Sequence, residues 1–69
     1  MTTTVNVSGM TCGHCVSSVK EELAEVPGVT AVDVDLNSGG ISPVTIESTA
    51  DLDPQAVTEA VAEAGYSVV

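Results

Sequence analysis

The sequence predicts an α+β domain in which two helices cover one face of a four-stranded antiparallel sheet. A chain of 69 residues has room for one small domain, residues 1–69. Short segments that alternate apolar and polar side chains have the period of a strand, and two longer segments have the apolar spacing of a helix. Glycine and proline clusters separate these segments, as they do between elements of regular structure.

The N-terminal part of the chain predicts a strand followed by a helix. Residues 2–8 alternate and form the first strand. The helix runs from residue 13 or 14 to about residue 25, and Pro27-Gly28 ends it. Its apolar side chains recur at helical spacing: Val16, Val19, Leu23 and Val26.

The middle of the chain predicts a hairpin. Residues 29–36 alternate and form the second strand, with Leu36 on its buried face. The Asn-Ser-Gly-Gly cluster at residues 37–40 predicts a turn. The third strand covers residues 44–47, because Pro43 is tolerable at the first residue of a strand.

The C-terminal part predicts a helix and a last strand. Asp53 is a good N-cap for a helix that runs from Pro54 to about Ala64, and Gly65 ends it. Residues 66–69 form the short last strand. The resulting order, strand-helix-strand-strand-helix-strand, is the ferredoxin-like βαββαβ sandwich.

Composition excludes several classes of protein. The hydrophobic fraction of 43% argues against disorder, and no apolar run approaches the roughly 20 residues of a membrane span. The N-terminus has neither the basic region nor the apolar run of a signal peptide. We therefore expect a cytosolic protein that does not insert into a membrane.

The charge of the chain bears on its partners. The net charge is −9, with one Lys or Arg against ten Asp and Glu. Nucleic acid is excluded as a natural partner, because there is no basic surface to neutralise phosphates. The acidity favours a partner with a basic patch, although a purely solubilising role explains the charge equally well.

The run Gly-Met-Thr-Cys-Gly-His-Cys at residues 9–15 says most about function. It holds the only two cysteines, Cys12 and Cys15. Thiolates at this spacing can converge on one soft metal ion, such as Cu(I), or close on each other as a disulfide. Two ligands are too few for a closed zinc site but enough for low-coordinate Cu(I). Cys15 falls in the first helical turn, where backbone amides and the helix dipole should lower its thiol pKa.

The other residues of this run have smaller predicted roles. Gly13 lets the loop bend and lets a partner approach. Met10 is expected to fill the core beneath the loop rather than bind metal. The Thr11 hydroxyl is expected to cap backbone amides at the start of the helix. His14 is expected to point into solvent, with recruitment as an auxiliary ligand in a metal-bridged dimer as the alternative.

Tyr66 is the only aromatic residue. The topology places it at the same end of the fold as the cysteine loop. Its predicted role is to pack beside the site, where it limits water and tunes metal affinity. The alternative is a core aromatic side chain whose hydroxyl reaches the surface.

Together these features resemble the heavy-metal-associated domain family. Residues 9–15 are similar to its Gly-Met-X-Cys-X-X-Cys signature, and residues 27–29, 32–36 and 64–66 resemble the family at the expected places. The resemblance covers essentially the whole chain. It implies that both cysteine sulfurs bind Cu(I) and that copper passes to the metal-binding domain of a copper-transporting P-type ATPase. Tyrosine at position 66 resembles the bacterial copper chaperones of the family, whereas the eukaryotic ones usually carry lysine.

The chain departs from the family pattern in two places. Residues 39–43 look longer than the usual turn between the middle strands, and we expect this insertion to change little about the site. Some copper chaperones have a basic face, whereas here Lys20 is the only Lys or Arg residue. The docking partner is then expected to carry the basic side.

Three alternatives stay open. The chain could be a free-standing or excised metal-binding domain of such an ATPase. It could carry another soft metal ion, Hg(II), Zn(II) or Cd(II), although no acidic residue flanks Cys12 or Cys15. A thiol–disulfide redox protein is the rival from a different class, but the chain is short for a thioredoxin-like fold. We expect a carrier rather than an enzyme.

Overall fold

The computed structural model describes the whole chain, residues 1–69. Its elements follow the predicted order: β1 (Thr2–Ser8), α1 (Gly13–Ala24), β2 (Val29–Val34), β3 (Ile41–Ser48), α2 (Pro54–Glu63) and β4 (Ser67–Val68). The strands form one antiparallel sheet in the order β2-β3-β1-β4, and the helices pack on one face of it. The predicted ferredoxin-like fold class is confirmed.

The register of the sheet brings three connecting segments together at one end. Ser8, the last residue of β1, pairs with Ile41 at the start of β3 and with Ser67 at the start of β4. The β1–α1 loop, the β2–β3 turn and the α2–β4 loop therefore meet where these strands begin and end. Cys12 and Tyr66 both lie at this end of the fold.

Each helix begins for a local reason. Cys12 is the N-cap of α1 through its extended backbone, and no side chain caps the helix amides. α2 has the predicted cap, because the Asp53 carboxylate accepts a hydrogen bond from the Gln55 amide at 3.0 Å. Neither helix has the length and apolarity that crossing a membrane requires.

The core lies between the sheet and the two helices. It consists of nine buried apolar residues: Val7, Met10, Val19, Leu23, Val44, Ile46, Val57, Ala60 and Val61. Apolar side chains of both helices belong to this core, and so do the inward-facing apolar side chains of β1 and β3. No buried side-chain polar atom lacks a hydrogen-bond partner.

The hairpin between β2 and β3 differs from its prediction at both strands. β2 ends at Val34 rather than at residue 36, and Leu36 is 37% exposed instead of buried. β3 begins at Ile41, so Pro43 lies inside a strand with neighbours on both sides. The Asp35 amide donates to the Pro43 carbonyl at 2.9 Å, but proline has no N–H to return the bond. The pairing with β2 stops there, which is how an interior strand accommodates this proline.

The last strand is shorter than predicted. It covers Ser67–Val68 rather than residues 66–69, so Tyr66 lies in the loop before it. Gly65 turns the chain between α2 and this loop with a φ of +96°, a backbone conformation that favours glycine. Tyr66 thereby reaches the end of the sheet that carries the cysteines.

Candidate metal centre

The metal loop, residues 9–12, carries the first cysteine of the predicted site. It leaves β1 through Gly9, which has a φ of +95°. At its other end the Cys12 carbonyl accepts hydrogen bonds from the amides of Cys15 and Val16, at 3.1 and 3.3 Å. These two bonds begin α1 and fold its first turn back over Cys12.

The two cysteine sulfurs face each other at the surface. Cys12 Sγ and Cys15 Sγ are 3.3 Å apart, well beyond the length of about 2.05 Å of a disulfide bond. Both thiols are free; Cys12 is exposed and Cys15 is half-buried. A metal ion, or a thiol of a second protein, therefore has access to the pair from solvent.

The Cys15 thiol is prepared for deprotonation. Its pKa is lowered from 9.0 to about 6, chiefly by hydrogen bonding from the Tyr66 side chain and then by the Thr11 backbone and the Cys12 side chain. Cys15 is thus mainly thiolate at neutral pH, the form that binds metal ions. The predicted lowering of the pKa is confirmed, and its largest cause is the Tyr66 side chain, whose effect on this pKa was not predicted from the sequence.

Tyr66 packs beside the cysteine pair. It is half-buried, and its Cδ1 atom lies 3.4 Å from the position that a Cβ on Gly9 would occupy. Hydrogen bonding to Cys15, burial and the charges of both cysteines raise the pKa of the Tyr66 phenol. The phenol therefore stays protonated at neutral pH.

Gly13 and His14 lie between the cysteines on the solvent side. His14 is exposed, as predicted. A Cβ on Gly13 would meet nothing within 4 Å, so the surface at this residue is open. No group of three or more His, Cys, Asp or Glu side chains is close enough to hold an ion together.

Met10 and Thr11 lie on opposite sides of the metal loop. Met10 has no exposed surface and belongs to the core, where the sequence placed it. The prediction for Thr11 is wrong, because α1 has no side-chain cap and Thr11 Oγ1 lies 3.9 Å from Cys15 Sγ. Cys12 occupies the N-cap position instead, which leaves the Thr11 hydroxyl facing a sulfur rather than the helix amides.

The β2–β3 turn contacts the metal loop through two hydrogen bonds. The Ser38 hydroxyl donates to the Thr11 carbonyl at 2.9 Å. The Gly39 amide donates to the Met10 carbonyl at 3.3 Å. Hydrogen bonds between loops leave no periodic pattern in a sequence, so these contacts were not predicted from it.

Comparisons with known proteins agree with the fold and the cysteine motif. The model of the heavy-metal-associated domain family matches residues 4–67. The copper chaperone CopZ of Staphylococcus aureus (strain JH9) is 38% identical over 65 residues, which cover 94% of this chain and 93% of that protein.

Solved structures give the same result. The structure of a CopZ metallochaperone has a TM-score of 0.86 and 34% identity, and the match covers 100% of both chains. The N-terminal domain of the copper(I) ATPase PacS in its apo form has a TM-score of 0.71 and 31% identity, over 99% of this chain and 89% of that one. The chain belongs to the heavy-metal-associated domain family.

Proposed function

We propose that this protein is a copper chaperone that binds one Cu(I) ion through Cys12 and Cys15. It passes the ion to the metal-binding domain of a copper-transporting P-type ATPase. The observation that carries the proposal is a pair of accessible sulfurs 3.3 Å apart with no further ligand beside them. Two soft thiolates suit Cu(I), whereas a structural zinc site needs four ligands.

Two of the comparisons support the cargo and the partner. CopZ of Staphylococcus aureus is a copper chaperone of nearly the same length. The PacS domain belongs to a copper(I) ATPase and has the same fold. A chaperone and an ATPase domain that share one fold can present similar sulfur pairs to each other. The ion would then have similar ligands in both proteins, which favours reversible exchange.

Transfer would proceed by exchange of thiolate ligands. A partner thiolate attacks the exposed ion and forms a three-coordinate intermediate with Cys12 and Cys15. One of these two cysteines then leaves, and the ion always keeps at least two sulfur ligands. Cys15 can leave as a thiolate at neutral pH, because its pKa is lowered to about 6, chiefly through the Tyr66 side chain. No bond of an organic substrate changes, so the protein would act as a carrier and not as an enzyme.

Tyr66 and His14 would modulate this exchange. Tyr66 covers one side of the pair and limits water there, which tunes how tightly the ion is held. His14 is exposed between the cysteines. In a copper-bridged homodimer, the second chain could bring it to the ion as an additional ligand.

The net charge of −9 favours a docking domain with a basic face. Lys20, on the exposed side of α1, is the only Lys or Arg residue of the chain. Complementary charge would speed the encounter and would weaken as ionic strength rises. We place this encounter in the cytosol, where the sequence predicts that the protein resides.

The metal-binding domain of a copper ATPase is a second candidate, favoured by the likeness to PacS. Such a domain would use the same two sulfurs. It would differ in receiving the ion from a chaperone and in remaining part of a transporter. Transfer experiments distinguish the two roles by the direction in which copper moves between the protein and a separate ATPase domain.

The test is an anaerobic Cu(I) titration of the reduced protein against a strong Cu(I) chelator. The double variant Cys12→Ser, Cys15→Ser is the matched control, since it keeps the size of both side chains. We expect tight one-to-one binding that the variant loses, followed by transfer to a purified ATPase metal-binding domain. Loss of copper to the chelator at every ratio, with Hg(II), Zn(II) or Cd(II) held instead, would assign another cargo. Ready cycling between dithiol and disulfide without metal binding would assign the redox function.

A further inference from the structure

The backbone of the metal loop is held from outside by the β2–β3 turn. α1 offers no side-chain cap at its start. The Cys12 carbonyl accepts from α1 itself, and the other loop carbonyls that accept hydrogen bonds are those of Met10 and Thr11. Both donors lie in the turn: the Gly39 amide at 3.3 Å and the Ser38 hydroxyl at 2.9 Å.

The turn itself is firmly braced, so it can serve as a support. The Asn37 amide donates to the hydroxyl oxygen of Ser42 at 2.9 Å, and the Gly40 amide donates to the Asn37 carbonyl at 3.0 Å. Ser42 is fully buried beneath the hairpin. Gly39 has a φ of +77°, which a residue with a side chain rarely adopts. The geometry of the turn is therefore tied to the core.

The bond from Ser38 acts on the peptide group that leads into the first cysteine. The Thr11 carbonyl shares a planar peptide unit with the Cys12 amide. Fixing that carbonyl fixes the plane from which the Cys12 Cα departs. Packing cannot do this for Cys12, because its side chain is exposed, whereas Cys15 is held within α1.

We propose that Ser38 is a positioning residue for metal binding, which fixes the Thr11–Cys12 peptide so that the two sulfurs converge before the ion arrives. The proposal rests on the proposed function, since it concerns the affinity of the same cysteine pair. Preorganisation of this kind strengthens binding by removing the cost of ordering the ligand. Loss of one hydrogen bond of ordinary strength corresponds to about a two- to tenfold weaker affinity.

The experiment compares the unmodified protein with Ser38→Ala and Ser38→Thr, and uses Thr30→Ala as the control. Thr30 also donates an exposed hydroxyl to a backbone carbonyl, that of Glu47, at 3.2 Å, but it lies at the opposite end of the sheet. Two quantities are measured for each protein. One is Cu(I) affinity by anaerobic chelator competition, and the other is the set of NMR backbone order parameters of Thr11 and Cys12 in the reduced, metal-free state.

We expect Ser38→Ala to bind Cu(I) about two- to tenfold more weakly and to lower the order parameters of residues 11 and 12. Ser38→Thr should restore both quantities, because it keeps the hydroxyl, and Thr30→Ala should leave both unchanged. Unaltered affinity and loop order in Ser38→Ala would overturn the proposal, as would an equal loss in Thr30→Ala. If the unmodified protein bound no Cu(I), the proposed function would fail, and the order parameters alone would decide whether Ser38 positions Cys12.

Discussion

Tyr66 lies against the backbone of Gly9, where an added Cβ would be 3.4 Å from the Cδ1 atom of the ring. The same side chain is the largest cause of the lowered pKa of Cys15. One aromatic residue therefore packs against the start of the metal loop and lowers the pKa of the second cysteine. The loop before β4 thus influences the reactivity of Cys15 through Tyr66.

Substitution of Gly9 by alanine should lower the stability of the fold. Gly9→Ala must place a side chain on a residue with a φ of +95° and against the Tyr66 ring. We expect the free energy of unfolding to fall by about 1–3 kcal/mol, the usual cost of such a backbone conformation in an L-residue. Urea denaturation of the reduced protein measures it. Gly13→Ala is the control, since Gly13 is helical and open to solvent, and it should be neutral or stabilising by up to about 1 kcal/mol.

Removal of the Tyr66 hydroxyl should make Cys15 less acidic. Tyr66→Phe keeps the ring over Gly9 but deletes the largest contribution to the lowered pKa of Cys15. The rate of alkylation by iodoacetamide, followed against pH in a Cys12→Ala background, reports this single thiol. We expect the midpoint to shift upwards towards 9.0, the ordinary value for a thiol. Superimposable profiles with and without Tyr66→Phe would show that another group activates Cys15.

The stability of the reduced, metal-free protein should depend on pH through Cys15. Its pKa is about 6 in the folded protein and 9.0 when unperturbed, so the unfolded state binds more protons between these values. This contribution to stability is fully present above pH 9 and is lost as pH falls through 6. The raised pKa of Tyr66 acts in the opposite direction, and its contribution is lost as pH rises beyond 10.0.

Urea denaturation at several pH values, for the unmodified protein and for Cys15→Ser, isolates this effect. The difference between the two free energies of unfolding should increase from pH 6 to pH 9, because only the unmodified protein has the Cys15 thiol. A difference that stays constant over this range would contradict the lowered pKa.

Met10 should prove to be a core residue and not a metal ligand. Met10→Leu preserves volume and hydrophobicity at a site with no exposed surface, so it should cost less than about 1.5 kcal/mol. Met10→Ala should cost about 2–5 kcal/mol, because it leaves a cavity in a small core. Chelator competition should give the Met10→Leu variant the Cu(I) affinity of the unmodified protein. A large loss of affinity with stability retained would make the thioether a ligand.

Much of the fold was predictable because each element carries its own local signal. The alternation of residues 2–8 gives the bounds of β1, and the cap at Asp53 starts α2 where it was expected. The hairpin was not placed as well. Local rules for proline predict that Pro43 begins a strand. In the structure Pro43 lies inside β3, and it is tolerated there because the pairing with β2 stops beside it.

The candidate site shows the same division between local and long-range information. The spacing of Cys12 and Cys15 and the burial of Met10 follow from short-range pattern. The roles of Tyr66, Ser38 and Gly39 depend on contacts between segments that are distant in the chain. Topology was enough to place Tyr66 at the correct end of the fold, but its effect on the pKa of Cys15 depends on the packing of two distant segments.

X-ray absorption at the copper K edge of the Cu(I)-loaded protein, prepared without added thiol and compared with Cys12→Ser and Cys15→Ser, tests whether both sulfurs bind the ion. We expect two sulfur neighbours for each copper ion in the unmodified monomer and the loss of one sulfur in each single variant. A nitrogen or oxygen atom in place of either sulfur in the unmodified protein would show that Cys12 and Cys15 do not hold the ion together.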